Sequence, residues 1–146
     1  MIHVEWSALF EVGHERIDFE HKIFLGLIRD ASTALERGLP QERVIRHLDE
    51  VKKYAVFHFT SEENIMVDVA YPDYEKHRKE HQVLLALLAD KAHQYRSEEI
   101  QLDEIIEYLF EWFALHTTQV DTHLARYIEK AQIISTFSPR SLGLFE

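Results

Sequence analysis

Seven side chains of the types that bind transition metals recur at helical spacing along this 146-residue chain. They lie in the motifs HFTSE at 58–62, HRKEH at 77–81 and HTTQVD at 116–121, and at one further histidine. Imidazole and carboxylate groups are ligands for divalent first-row metals. Seven of them are too many for one ion, so the pattern predicts a site for two metal ions. The predicted ligands are His21, His58, Glu62, His77, His81, His116 and Asp121.

The spacing within two of the motifs places their ligands on one face of a helix. A residue four positions further along an α-helix lies about 40° around the axis and about 6 Å along it. His58 and Glu62 therefore share a face, as do His77 and His81. A single pair is weak evidence, because a surface salt bridge has the same spacing and the chain holds 10 His and 26 acidic residues. The metal site is favoured by the conjunction of such pairs on several helices.

Apolar periodicity predicts four amphipathic helices, each with at least one of these ligands on its apolar stripe. Gly38, followed by Leu39 and Pro40, is the predicted C-cap of the first helix. Asp73 and Ser97 are the predicted N-caps of the third and fourth helices. The predicted helices cover about 18–37, 41–68, 74–96 and 98–134.

Short connections between the four helices predict an all-α fold, an up-down-up-down four-helix bundle with an irregular N-terminal arm. His21 and His77 lie early in their helices, whereas His58 and His116 lie late in theirs. In an antiparallel bundle these four positions meet at the same end. Polar groups in an apolar core are destabilising unless they are paired, and two metal ions would pair most of them. A buried polar network without metal is the alternative.

Asp121 does not fit a regular helix. It lies five residues after His116, which corresponds to about 140° around an ideal α-helix. Both side chains face one site only if the helix tightens, bulges or ends between them. Thr117 and Thr118 are β-branched and can bond back to the preceding turn. We therefore predict a distortion at 117–121.

Composition limits the classes of protein to which the chain can belong. Its length suits one domain with its own core, predicted over residues 1–134, with 135–146 as a C-terminal tail or linker stub. The net charge of −10 argues against nucleic acid or an anionic membrane as partner. The chain has no cysteine, which excludes thiolate metal sites and cysteine nucleophiles. The longest apolar run, 83–89, is too short to cross a bilayer, and no signal peptide is apparent, so we expect a cytoplasmic protein.

Taken together, the motifs resemble those of the hemerythrin family, and of the bacterial hemerythrins in particular. The matching segments are Trp6, IDFEHK at 17–22, HFTSEE at 58–63, HRKEH at 77–81 and WFALHTTQVD at 112–121, within about residues 4–130. The resemblance implies an oxo- or hydroxo-bridged centre of two iron ions that binds dioxygen reversibly. It assigns His77, His81 and His116 to one iron, and His21 and His58 to the other. Glu62 and Asp121 would be carboxylate bridges between the two irons.

The resemblance also implies a dioxygen pocket. The first iron would have six ligands and the second five, which leaves one open position beside His21 and His58. The expected pocket residues would serve equally well as ordinary bundle core. Thr117 departs from the family, which usually has a bulky aliphatic residue there, and its hydroxyl would admit water and speed loss of the oxygenated state. The expected pocket residues are Phe24, Phe59, Trp112, Phe113 and Thr117.

Several functions are open on this basis. The leading hypothesis is carriage, storage or sensing of dioxygen. A sensor would have a fused signalling output domain beyond the C-terminus. The alternatives are a di-iron oxidase, peroxidase or nitric oxide-handling enzyme, and a protein that stores or donates iron. Nitrogen-rich ligation favours carriage or sensing over the oxidative chemistry of carboxylate-rich di-iron sites. The sequence offers no obvious substrate pocket with separate acid and base groups, so we expect a protein that is not an enzyme.

Overall fold

Four helical rods joined by short turns make up the fold, which a computed structural model describes over residues 3–98 and 100–135. The first three are α1 (Glu15–Glu36), α2 (Gln41–Asp68) and α3 (Tyr74–Arg96). The fourth consists of α4 (Leu102–Leu115), a π-helical turn (His116–Asp121) and α5 (Thr122–Ser135). Both α1 and α3 pack against α2 and α4, which closes a four-helix bundle. The predicted all-α bundle is confirmed.

The start of α1 lies earlier than predicted, because the residues before it form a cap that the apolar pattern does not show. The imidazole of His14 accepts a hydrogen bond from the backbone N–H of Ile17 at 3.2 Å. The carboxylate of Asp18 accepts from the backbone N–H groups of Val12 and Gly13 at 2.8 and 3.2 Å. Asp18 is therefore an interior residue of the first turn that ties the N-terminal arm to the helix.

The predicted start of the fourth helix at Ser97 is wrong. The backbone N–H groups of Ser97 and Glu98 donate to the carbonyls of His93 and Tyr95, so these residues end α3. Glu98 has a φ of 59°, a left-handed conformation that is typical of helix C-termini. The acidic residue therefore belongs to a stop signal, and α4 begins only at Leu102.

The predicted distortion at 117–121 is confirmed as the π-helical turn His116–Asp121. A π-helix has i to i+5 hydrogen bonds, so residues five apart approach each other along one face. Threonine hydroxyls satisfy carbonyls around it: Thr118 donates to Ala114 at 2.7 Å, and Thr122 to Thr117 at 3.2 Å. The turn is what brings the side chain of Asp121 into the bundle, where it is 1% exposed.

Two apolar clusters enclose the polar end of the bundle from both sides. The larger one includes Phe24, Phe59 and Phe113, and the smaller one includes Met66 and Leu124. The arm covers the larger cluster, since Phe10 packs edge-on against Phe113, with ring centroids 5.2 Å apart. Among the described residues, no helix combines the length and apolar composition that a bilayer crossing needs. The predicted tail at 135–146 lies outside the described residues, apart from Ser135.

Candidate metal centre

The seven predicted ligands converge at one end of the bundle, and each is 6% exposed or less. Their donor atoms form two groups that share Glu62 and Asp121, and within each group the donors lie within 4.8 Å of one another. One group adds three histidines from α3 and the π-helical turn, and the other adds one histidine each from α1 and α2. The first group contains His77, His81 and His116, and the second contains His21 and His58.

Glu62 directs one carboxylate oxygen toward each group. Its Oε1 lies 2.5 Å from Nε2 of His77 and 3.3 Å from Nε2 of His81. Its Oε2 lies 3.3 Å from Nε2 of His58 and 4.0 Å from Nε2 of His21. The carboxylate therefore stands between the two sets of imidazoles and can bind an ion on either side.

Asp121 divides its oxygens in the same way. Oδ1 lies 3.1 Å from Nε2 of His77 and 3.2 Å from Nε2 of His116, whereas Oδ2 lies 3.1 Å from Nε2 of His21. Two carboxylates thus span the same pair of imidazole groups. Each carboxylate could therefore bind a cation on either side.

Several buried donor atoms have no hydrogen-bond partner within the described residues. They include Nε2 of His77, His81 and His116, both oxygens of Glu62 and Oδ1 of Asp121. Buried polar atoms are nearly always paired, and leaving so many unpaired would destabilise the fold. Metal ions would bind these atoms directly, because neutral imidazoles and carboxylates are metal ligands. The residues fit a pair of metal ions.

A small cavity of about 10 Å³ borders this centre. All five predicted pocket residues line it, together with His21, His58, His116 and Asp121. Two aromatic rings also lie flat against ligands: Phe59 on His81, with centroids 3.9 Å apart, and Trp112 on His116, with centroids 4.3 Å apart. The cavity has room for about one water molecule. It borders both histidines of the two-histidine group but neither His77 nor His81.

Comparison with known proteins identifies the family. The model of the Hemerythrin HHE cation binding domain matches residues 12–128, which include all seven ligands. The chain belongs to the hemerythrin family. It is 25% identical over 138 residues to a bacteriohemerythrin of Stenotrophomonas maltophilia, covering 87% of this chain and 88% of that protein. It is 26% identical over 117 residues to a myohemerythrin of Theromyzon tessulatum, covering 80% and 87%.

The fold is similar to that of solved hemerythrins. A crystal structure of wild-type hemerythrin superposes with a TM-score of 0.75 at 24% sequence identity, covering 86% of this chain and 97% of that one. A hemerythrin variant gives a TM-score of 0.78 at the same identity. The bundle is therefore the hemerythrin fold.

Three carboxylates outside the ligand set contact the outward-facing nitrogens of three histidines in this hemerythrin-family chain, two of them through hydrogen bonds. Sequence reasoning missed them, although each is adjacent in the chain to a ligand. Each contacts a histidine of a different element, so only the tertiary structure pairs them. The Nδ1 contacts are Glu20 with His58 at 2.8 Å, Glu63 with His81 at 2.9 Å and Glu80 with His116 at 3.3 Å.

Glu20 is the most highly connected of the three. One of its oxygens accepts from His58, and the other accepts from Ser61 and from Arg16, both at 2.9 Å. Burial favours the neutral acid, but these hydrogen bonds outweigh it and lower the pKa of Glu20. The carboxylate therefore stays charged and fixes the orientation of the His58 ring.

The imidazoles and carboxylates of the site form a network of ion pairs. Burial disfavours the charged imidazole of His58, but the neighbouring carboxylates of Glu20 and Glu62 raise its pKa to about 10. Burial likewise disfavours the charged imidazole of His77, but the carboxylates of Asp121 and Glu62 raise its pKa to about 10. Burial would raise the pKa of Glu62, but the imidazoles that surround it, those of His58, His77 and His81, hold it well below its usual value. Metal ions that bind His58 and His77 would therefore displace the protons that these raised pKa values favour.

Proposed function

We propose that the chain binds dioxygen reversibly at a centre of two iron ions. The observation that carries this proposal is that Glu62 and Asp121 each direct one carboxylate oxygen toward each of the two imidazole groups. In the proposed centre His77, His81 and His116 hold one iron, His21 and His58 hold the other, and the two carboxylates bridge them. The iron pair would supply the electrons that bound dioxygen takes up and returns.

The choice of iron rests on the donor set and on the family. Imidazole suits iron, zinc, copper and nickel, and carboxylates extend the set to manganese. Five nitrogens and two carboxylates therefore do not select one metal by themselves. Zinc has no redox chemistry and would not support dioxygen binding. The membership of the chain in the hemerythrin family supports iron over the other redox-active ions.

Donor count and cavity position agree on where dioxygen would bind. The group of His21 and His58 offers one nitrogen donor fewer than the other group, so a coordination position is left for a small ligand. The cavity borders this group and is walled by Phe24, Phe59, Trp112 and other apolar groups. Apolar walls exclude water and favour a small apolar molecule such as dioxygen.

The size of the cavity supports binding over substrate oxidation. At about 10 Å³ it is too small for an organic substrate. Its polar lining consists of four ligands and Thr117, so it holds no separate acid or base for substrate chemistry. We infer that the protein carries, stores or senses dioxygen. A sensing role would use an output domain beyond the C-terminus.

Exposure of the reduced, iron-loaded protein to air tests the proposal. The expected result is a new visible spectrum that persists for minutes and returns to the reduced spectrum under vacuum. Asp121→Ala is the variant for comparison, because it removes one bridge while His21, His58 and the cavity aromatics remain. Immediate and irreversible oxidation with turnover of an added substrate would show an enzyme instead. Rapid loss of iron to a mild chelator would show an iron donor.

A further inference from the structure

A second cavity lies at the other end of the bundle, between α2, α3 and α4. Its volume is about 80 Å³, and eight of its eleven lining residues are apolar. The floor is made of buried side chains that include Leu48, Val51, Leu88, Ile105 and Leu109. Protein interiors are close-packed, with few voids larger than a water molecule, so a cavity of this size is unusual in a small bundle.

This cavity is separate from the metal centre. The lining residue nearest to a ligand along the chain is Lys52, six residues before His58, and the next nearest lie seven residues from a ligand. Six residues of α-helix span about 9 Å. The two cavities have no lining residue in common. A ligand here would therefore neither contact the metal ions nor depend on them.

The mouth of the cavity carries an excess of positive charge. Lys52 and Arg96 line it together with one acidic residue, Asp49. Asp49 forms an ion pair with Lys53 at 3.3 Å, on the same helix. Within residues 3–98 and 100–135, no ion pair within 4 Å joins Lys52 or Arg96 to an acidic group. In a chain of net charge −10, two such cations beside an apolar cavity form a local site for an anion.

We propose that this cavity binds a short aliphatic monocarboxylate of about four to six carbons. The hydrocarbon chain lies on the apolar floor, and the carboxylate lies at the mouth between Lys52 and Arg96. An engineered apolar cavity of about 150 Å³ in another protein holds benzene, so about 80 Å³ suits a thinner chain whose polar end remains at the opening. A dicarboxylate would place a second charge against the apolar floor and is excluded on that ground.

Titration of the metal-loaded full chain with hexanoate, followed by chemical shifts of backbone amides, tests this proposal. We expect saturable binding, with shifts concentrated on the stretches of α2, α3 and α4 around Leu48, Leu88 and Ile105. Hexanol and hexylamine have the same chain without the negative charge, and they should bind at least tenfold more weakly. Equal affinity for all three compounds would overturn the proposal, as would an absence of saturation with hexanoate.

Variants at the mouth separate this site from unspecific adsorption. Lys52→Ala and Arg96→Ala should each weaken hexanoate binding by up to about fivefold, because each removes one partly exposed charge. Lys130→Ala is the matched control and should change nothing, since Lys130 is an exposed lysine of α5 that does not line the cavity. Ala89→Phe places a ring at the mouth from an exposed position and should abolish binding while helical content is retained. Unchanged affinity in Ala89→Phe would place the bound ligand elsewhere and refute the site.

Discussion

Replacement of Glu20 should weaken metal binding at the two-histidine group without disturbing the bundle. The carboxylate accepts a hydrogen bond from Nδ1 of His58 at 2.8 Å, and both side chains are buried. A hydrogen bond to a charged group contributes about 1.5–3 kcal/mol. Since about 1.4 kcal/mol is tenfold in an equilibrium constant, its loss corresponds to about tenfold to a hundredfold in metal affinity. Glu20→Gln keeps a hydrogen-bond acceptor and should lower metal affinity by about tenfold, whereas Glu20→Ala should lower it by about a hundredfold.

The assay is competition between the protein and a chromophoric chelator for zinc, which binds imidazole and carboxylate without redox chemistry. Two ions should bind to the unaltered chain, and Glu20→Gln should weaken only one of them. Glu63→Gln should weaken the other ion, because Glu63 contacts His81 in the three-histidine group. Glu36→Gln, an exposed change at the end of α1, is the matched control. If Glu20→Ala and Glu36→Gln retain zinc equally well, the carboxylate does not support the site and the reasoning fails.

Three further predictions concern the pocket, the pH dependence of stability and the metal. Thr117→Ile should slow autoxidation of the oxygenated protein, because a buried hydroxyl beside the cavity is replaced by an apolar group; equal decay rates of the visible spectrum would contradict this. In the metal-free protein, the charged forms of His58 and His77 stabilise the fold fully below the unfolded pKa of about 6.5, and this contribution is lost as pH rises through about 10. The free energy of urea unfolding should therefore fall from pH 7 to pH 10, and a constant value would count against the ion-pair network. Zinc should stabilise the folded state by about 2.7 kcal/mol per ion when free zinc exceeds its Kd a hundredfold, and the midpoint of thermal unfolding should therefore rise. An unchanged midpoint would show that the buried donors do not bind zinc.

The clustering of the seven candidate ligands was predictable from sequence because each helix places its candidates on an apolar stripe. Periodicity alone puts His58 beside Glu62, and His77 beside His81. The antiparallel topology then brings the four helices' histidines to one end. Asp121 was predictable for the opposite reason: it violates the helical period, and the violation required the π-helical turn that the structure contains.

Features that depend on packing between helices were not predictable in this way. Glu20, Glu63 and Glu80 read as ordinary charged residues beside ligands, and only the bundle shows which histidine each one holds. The start of α4 was misread because Ser97 and Glu98 are typical both of a helix start and of a solvated turn. The backbone hydrogen bonds of α3 decide between these two readings by capping that helix instead.

The cavity between α2, α3 and α4 belongs to the same class of features. Its floor residues, such as Leu48 and Leu88, follow an ordinary core pattern, and no spacing in the sequence indicates that they leave a void. Its mouth depends on Lys52 and Arg96, which lie on different helices and are 44 positions apart in the sequence. Voids are set by side-chain shape and helix packing together, which a one-dimensional pattern does not contain.

The central claim is that one chain holds two iron ions that bind one dioxygen molecule reversibly. Gas uptake by the reduced protein, measured together with its iron content, tests this claim most directly. The account predicts two irons and one dioxygen per chain, with the full amount of dioxygen recovered on degassing. Dioxygen that is consumed and not recovered, or uptake by a chain with a single iron, would contradict it.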